Sequence, residues 1–212
     1  MPGVTISACY GAGGSVIAPA VADRLGLPLL DRAISSRVAA QLHVSVQEAE
    51  GGEMRRSLAD RFLAVLAPLA GGALGAGTDA APPHAIPPPE DADFFREQAE
   101  AIMNEALSSG AVILGRGGGA AFHDRPDVLR VRLFGPRDAR IAQAARVESV
   151  DQPVARQRLP EVDNARAQYV RRLYCLSIDD PALYQLQIDS TALPLDACAD
   201  LIASAYTAFA RR

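Results

Sequence analysis

The sequence predicts an α/β protein built on a parallel sheet with helices on both faces. Three observations carry the prediction. Short apolar runs alternate with stretches of helical periodicity along the chain. At least one run, Ala111–Leu114, is continuously apolar, as in a strand buried on both faces. The length of 212 residues, with 49% hydrophobic and 22% charged, fits one domain with a full-sized core.

Val4–Cys9 carries β-branched residues and ends in glycines, so it reads as the first strand. Ser15–Leu25 places Val16, Ile17, Ala20, Val21 and Leu25 at helical spacing, with Gly26 as the stop. Pro28–Leu30 is a short second strand, and Asp31 an N-cap for a helix through about Leu42. Ser45 with Glu48 makes a capping box. Arg55–Leu69 is amphipathic, whereas Gly71–Glu90 is mostly Gly, Ala and Pro. That segment buries little and is costly to order, which predicts a mobile excursion within the domain.

Helical periodicity resumes from about Asp91 to Leu107, and Gly110 closes it. Ala111–Leu114 and Val128–Phe134 are strands, and Pro136 starts a helix through about Arg146. Glu148–Pro160 is polar and reads as irregular. A helix from about Glu161 to Tyr174, a strand over Leu183–Ile188 and a closing helix over Leu195–Ala210 complete the chain.

A formal net charge of −4 gives no basic footprint for nucleic acid. Three separated cysteines, Cys9, Cys175 and Cys198, form no C-x-x-C, so no zinc site or disulfide framework is expected. Reduced thiols, with no secretory signature in the first residues, predict a cytoplasmic protein. The most apolar stretch, Phe62–Ala76, contains Pro68 and Gly71-Gly72 and is too short to span a bilayer, so no membrane association is expected. His43, His84 and His123 show no partner pattern.

The stretch Gly11-Ala12-Gly13-Gly14-Ser15 lies between a strand and a helix. Glycines there let main-chain amides converge beside a helix N-terminus, the layout of an anion site; a plain tight turn has the same composition. The pattern G-x-x-x-x-G-K-[ST] is not met: Ala8 stands at the first glycine and Gly14 at the lysine. Ser15 holds the hydroxyl position and is the candidate Mg²⁺ ligand. Arg116 sits in a glycine run after an apolar strand, at the edge where parallel sheets bind ligands. The segment from Arg137 to Arg172 is dense in arginine, which suits bidentate phosphate binding; a solvated helix face is the alternative.

Four stretches in this order, "ISACYGAGGSVIAPAVADRLGLPLLDRAI", "AVILGRGGG", "RPDVLRVRLFGPRDARI" and "DNARAQYVRRLY…DPALYQLQIDSTAL", resemble the cytidylate kinase-like family over nearly the whole chain. The resemblance implies a nucleoside monophosphate kinase-like phosphate-loop fold, a five-stranded parallel sheet in a single domain over 1–212. Its core would be 1–42 and 91–212, with an acceptor-side insertion about 43–90 and a lid about 148–160. It implies Gly11, Ala12, Gly13, Gly14 and Ser15 on the donor phosphates, and Asp31, Arg37, Arg116, Asp163 and Arg166 on the acceptor. Arg137, Arg140 and Arg171 would be the catalytic arginines.

The same resemblance implies ATP with Mg²⁺ and transfer of its γ-phosphoryl to CMP or a similar nucleoside monophosphate. Four positions depart from the family pattern, Ala8, Leu114, Gly117 and Leu159, and Gly14 stands where the general phosphate loop has lysine. They favour a catalytically degenerate nucleotide- or anion-binding module with a regulatory role. A third option is transfer to a different acceptor.

Overall fold

The computed structural model describes residues 3–30, 92–115 and 117–211. The helix expected from Asp31, the capping box, the 55–69 helix, the 71–90 excursion and three site candidates (Asp31, Arg37 and Arg116) lie outside the described residues.

Five strands form one parallel sheet in the order β2-β3-β1-β4-β5. They are β1 (Gly3–Ala8), β2 (Leu29–Leu30), β3 (Val112–Leu114), β4 (Val128–Phe134) and β5 (Leu186–Asp189). Among the described residues the helices are α1 (Gly14–Leu25), α2 (Ala92–Ser108), α3 (Gly118–Ala121), α4 (Arg137–Glu148), α5 (Gln152–Tyr174) and α6 (Leu195–Phe209). A 3₁₀ turn, Pro181–Leu183, precedes β5.

Strand β1 is buried along its whole length because it lies at the centre, with β3 and β4 on either side. Ile17, Val21, Cys198 and Ile202 of α1 and α6 pack with Val4, Ile6, Val131 and Leu133. Met103 and Leu107 of α2 pack with Ile113 and Val128 in a separate cluster. Since β1 connects onward to one half of the sheet and β4 extends the other, the crevice beyond the C-terminal end of β1 is a topological switch point.

Helix α1 starts from Gly13, whose φ of 73° is the left-handed conformation that favours glycine, and stops at Gly26. The expected irregular stretch over 148–160 is a correction: helix begins at Gln152 and runs unbroken to Tyr174. Pro160 removes one helical donor without ending the helix. Ala155, Leu159 and Val162 straddle it and bury against Tyr10, Ile141 and Ala144, and that packing outweighs the lost bond. The strand expected over Leu183–Ile188 is also shifted; it spans Leu186–Asp189, and Pro181 draws Leu183 into the preceding turn.

Candidate functional site

The turn after β1 is held by its carbonyls. Arg166 Nη1 donates to Ala8 O at 2.7 Å, Arg140 Nη1 to Tyr10 O at 2.9 Å and Gln143 Nε2 to Gly11 O at 3.0 Å. Ser190 Oγ donates to Ala12 O at 2.7 Å. The amide of Ala12 takes Cys9 O, and those of Val16 and Ile17 take Gly13 O. With every carbonyl from Ala8 to Gly13 engaged, the groups left to face a ligand are amides. Main-chain amides beside a helix N-terminus are an anion's complement.

The Tyr10 amide of the turn is engaged by a carboxylate. Tyr10 N–H donates to Asp163 Oδ1 at 2.8 Å, while Arg140 Nη1 binds Asp163 Oδ2 at 2.7 Å. Arg140 also donates from Nε to Gly135 O, so one guanidinium ties the turn, the start of α4 and the middle of α5 together. Sequence placed Asp163 and Arg166 three apart on one helix; the structure uses both to grip the end of β1.

Beside the turn lies a cavity of about 210 Å³ whose lining includes Cys9, Arg132, Arg140, Asp163, Arg166 and Asp179. Three guanidiniums and two carboxylates, Asp163 and Asp179, line it, a set of net positive charge. All 21 basic side chains of the chain are arginine and none is lysine, so any side-chain cation brought to a phosphate is a guanidinium or a protonated histidine. Cys9 Sγ lies 3.2 Å from Arg132 Nη2. Burial pushes its thiol up from the ordinary cysteine value, and the Arg132 charge opposes that shift.

Of the expected site residues, the structure brings together the Gly11–Ser15 turn, Arg140, Asp163 and Arg166. Arg137 and Arg171 are exposed and do not line the cavity. Elsewhere in the arginine-rich stretch, Arg158 pairs with Glu148 and Arg156 with Asp138. Leu114 and Leu159 are buried core residues. Sequence reasoning missed Arg132, Cys9, Asp179, Gln143 and Ser190. A signal for Arg132 was present: Arg130 and Arg132 alternate within "VLRVRLF", an otherwise apolar strand. Charges almost never enter a strand buried on both faces without a partner.

Tyr10 is fully buried, and its hydroxyl donates to Glu148 Oε2 at 3.1 Å. Burial, reinforced by the Glu148 charge, pushes its phenol up to about 12. A phenol raised in the folded state stays protonated after the unfolded chain, at about 10, has begun to ionise. The unfolded state then binds fewer protons, so this contribution is complete below about pH 10 and declines toward 12. Urea unfolding between pH 9 and 12 is expected to fall more steeply for the wild type than for Tyr10→Phe; parallel slopes would contradict the assignment.

For Mg²⁺ the side-chain donor set at the turn is sparse. Ser15 offers one hard oxygen at the second position of α1, and no group of three His, Cys, Asp or Glu among the described residues forms a metal site. That fits an ion carried in by a polyphosphate and completed by phosphate and water oxygens. No helix among the described residues is long and apolar enough to cross a membrane.

The family model described as "Cytidylate kinase-like family" matches residues 3–192. Among solved structures, an uncharacterized protein from Eubacterium ventriosum ATCC 27560 aligns with TM-score 0.65 at 17% identity, covering 98% of this chain and 99% of that one. Shikimate kinase from Acinetobacter baumannii, in complex with shikimate, aligns with TM-score 0.46 at 17% identity, over 98% of this chain and 94% of its own. Shikimate kinase from Bacteroides thetaiotaomicron gives TM-score 0.44 at 13% identity, over 95% and 96%. No curated protein sequence matches.

Proposed function

The chain belongs to the cytidylate kinase-like family, and from that premise we propose that it binds a nucleotide at the C-terminal edge of the sheet and transfers the γ-phosphoryl of ATP to CMP or a related nucleoside monophosphate. The observation that carries the reading is the convergence of Arg132, Arg140 and Arg166 on one cavity beside a glycine turn that leads into a helix N-terminus.

In this reading the amides of Gly11–Ser15 hold the donor phosphates, and Ser15 ligates Mg²⁺, which when bound neutralises polyphosphate charge. Arg166 and Arg132 present guanidiniums to the acceptor, while Arg140 keeps the turn in place. Asp31, Arg37 and Arg116 remain proposed acceptor contacts, and Arg137 and Arg171 proposed charges for the transferring group. Phosphoryl transfer requires positioning and charge neutralisation, both of which arginines supply without a covalent nucleophile.

A second reading, a binding module without turnover, is favoured by a specific observation. Gly14 stands where a lysine would bridge phosphates, and the Asp163 carboxylate already holds the Tyr10 amide. Purified protein with ATP, Mg²⁺ and each nucleoside monophosphate in turn separates the two. ADP formation dependent on one monophosphate is the expected result. Nucleotide binding by calorimetry with no ADP from any of them supports the module; neither binding nor turnover rejects both.

A further inference from the structure

Arg130 and Arg132 are two apart on β4 and so point to the same face of the sheet, yet they are satisfied differently. Arg130 is enclosed by carbonyls: Nε donates to Leu183 O, and Nη1 to Phe122 O and Arg125 O. Every one of these acceptors is protein backbone, so Arg130 is a structural residue. Arg132, nearer the C-terminal edge, has no such cage.

Its side chain is 8% exposed, and its ion-pair partner is Asp179, whose side chain is 76% exposed. Nη2 donates to Asp179 Oδ1 at 2.8 Å and to Cys9 Sγ. Nη1 is buried and, among the described residues, meets no acceptor. Tyr184 offers its ring face to the guanidinium at 5.9 Å. A buried guanidinium with an idle donor group demands a further oxygen acceptor. Its carboxylate partner stands mostly in water, where an ion pair contributes little and exchanges readily.

We propose that Asp179 is a displaceable internal counter-ion, and that the phosphate of an incoming phosphomonoester replaces it on Arg132. The planar guanidinium then binds two phosphate oxygens through Nη1 and Nη2, a match that the single oxygen of Asp179 does not make. The released carboxylate is rehydrated at small cost because it is already exposed. Arg166, on the same cavity wall, supplies the second positive charge. This deepens the proposed function by assigning Arg132 and Asp179 to recognition of the acceptor phosphate, and its location in the cavity rests on that reading.

The test uses the full-length protein with inorganic phosphate, and separately with CMP, followed by calorimetry. Asp179→Asn removes the competitor without disturbing the core, and phosphate affinity is expected to rise about two- to fivefold, the range of an exposed ion pair. Arg132→Met, similar in length and apolar, is expected to lose phosphate binding; Arg132→Lys keeps the charge without the fork and should recover only part of it. A thermal melt of each variant separates lost binding from lost fold.

Unchanged or weaker phosphate binding in Asp179→Asn overturns the proposal, as does absence of measurable phosphate binding in both that variant and the wild type. The failures are distinguishable. If phosphate binds as described but no nucleotide binds or turns over, the anion site stands and the kinase reading fails. If CMP is phosphorylated while Asp179→Asn leaves phosphate affinity unchanged, the kinase reading stands and the counter-ion does not.

Discussion

Replacing Gly11 with alanine is expected to destabilise the protein by about 3 kcal/mol or more, from backbone strain plus overpacking. Gly11 has φ 74°, a conformation an L side chain adopts only at a cost. The added Cβ would lie 2.3 Å from Arg140 O and 2.9 Å from Arg140 C. Those are main-chain atoms of α4, which do not rotate aside as a side-chain tip does. Gly13 has the same handedness, but its Cβ would meet Leu195 Cδ2 at 2.6 Å and Gln143 Nε2 at 3.3 Å, both ends of flexible side chains. Gly13→Ala is therefore the milder control. Urea unfolding checks the pair: the Gly11 variant should shift its midpoint further, with an unchanged slope. A loss below about 1 kcal/mol would show that α4 can retreat from the turn, and the tight docking inferred here would be wrong.

Arg140→Met is expected to cost about 2–4 kcal/mol and to weaken nucleotide binding in the same variant, because a charged, largely buried hydrogen-bond hub is removed. Its side chain is 11% exposed, and it satisfies Gly135 O, Tyr10 O and Asp163 Oδ2 together. Methionine fills the space but leaves two carbonyls and a carboxylate without their donor. Asp163 also accepts from Tyr10 N–H, so an unneutralised carboxylate would remain at the mouth of the glycine turn and repel an anion there. Arg140→Met with Asp163→Asn is expected to recover part of the binding, since the second change removes that repulsion. Additive losses in the double variant would argue that the two side chains act independently.

These two effects also mark where the sequence stops being informative. The strand-and-helix alternation, the glycine turn before α1 and the run of β4 are local properties of periodicity and backbone freedom, and they are legible residue by residue. The family pattern adds the five-strand count and points to Asp163 and Arg166. Glu148–Pro160 reads as irregular because its polarity is visible in sequence, while the burial of Ala155, Leu159 and Val162 against Tyr10 comes from a partner many residues away.

Arginine density in the second half of the chain was plain, but which arginines matter was not. The exposed Arg137 and Arg171 carry the same charge as Arg140 and Arg166, and composition does not distinguish them. Arg132 lies in a strand whose neighbours are apolar, and only the sheet order, which registers it with Ser7, brings its guanidinium within reach of Cys9 and Asp179.

By itself, then, the sequence determined an α/β chain with a glycine-rich turn after its first strand and many guanidiniums to follow, because backbone preference and hydrophobic period act over a few residues. The tertiary structure decided which guanidiniums meet that turn and which of its polar groups are already engaged. Those outcomes depend on side chains brought together across 120 to 180 positions of sequence, as in Cys9 with Arg132 and Ala12 with Ser190, and no local rule encodes them.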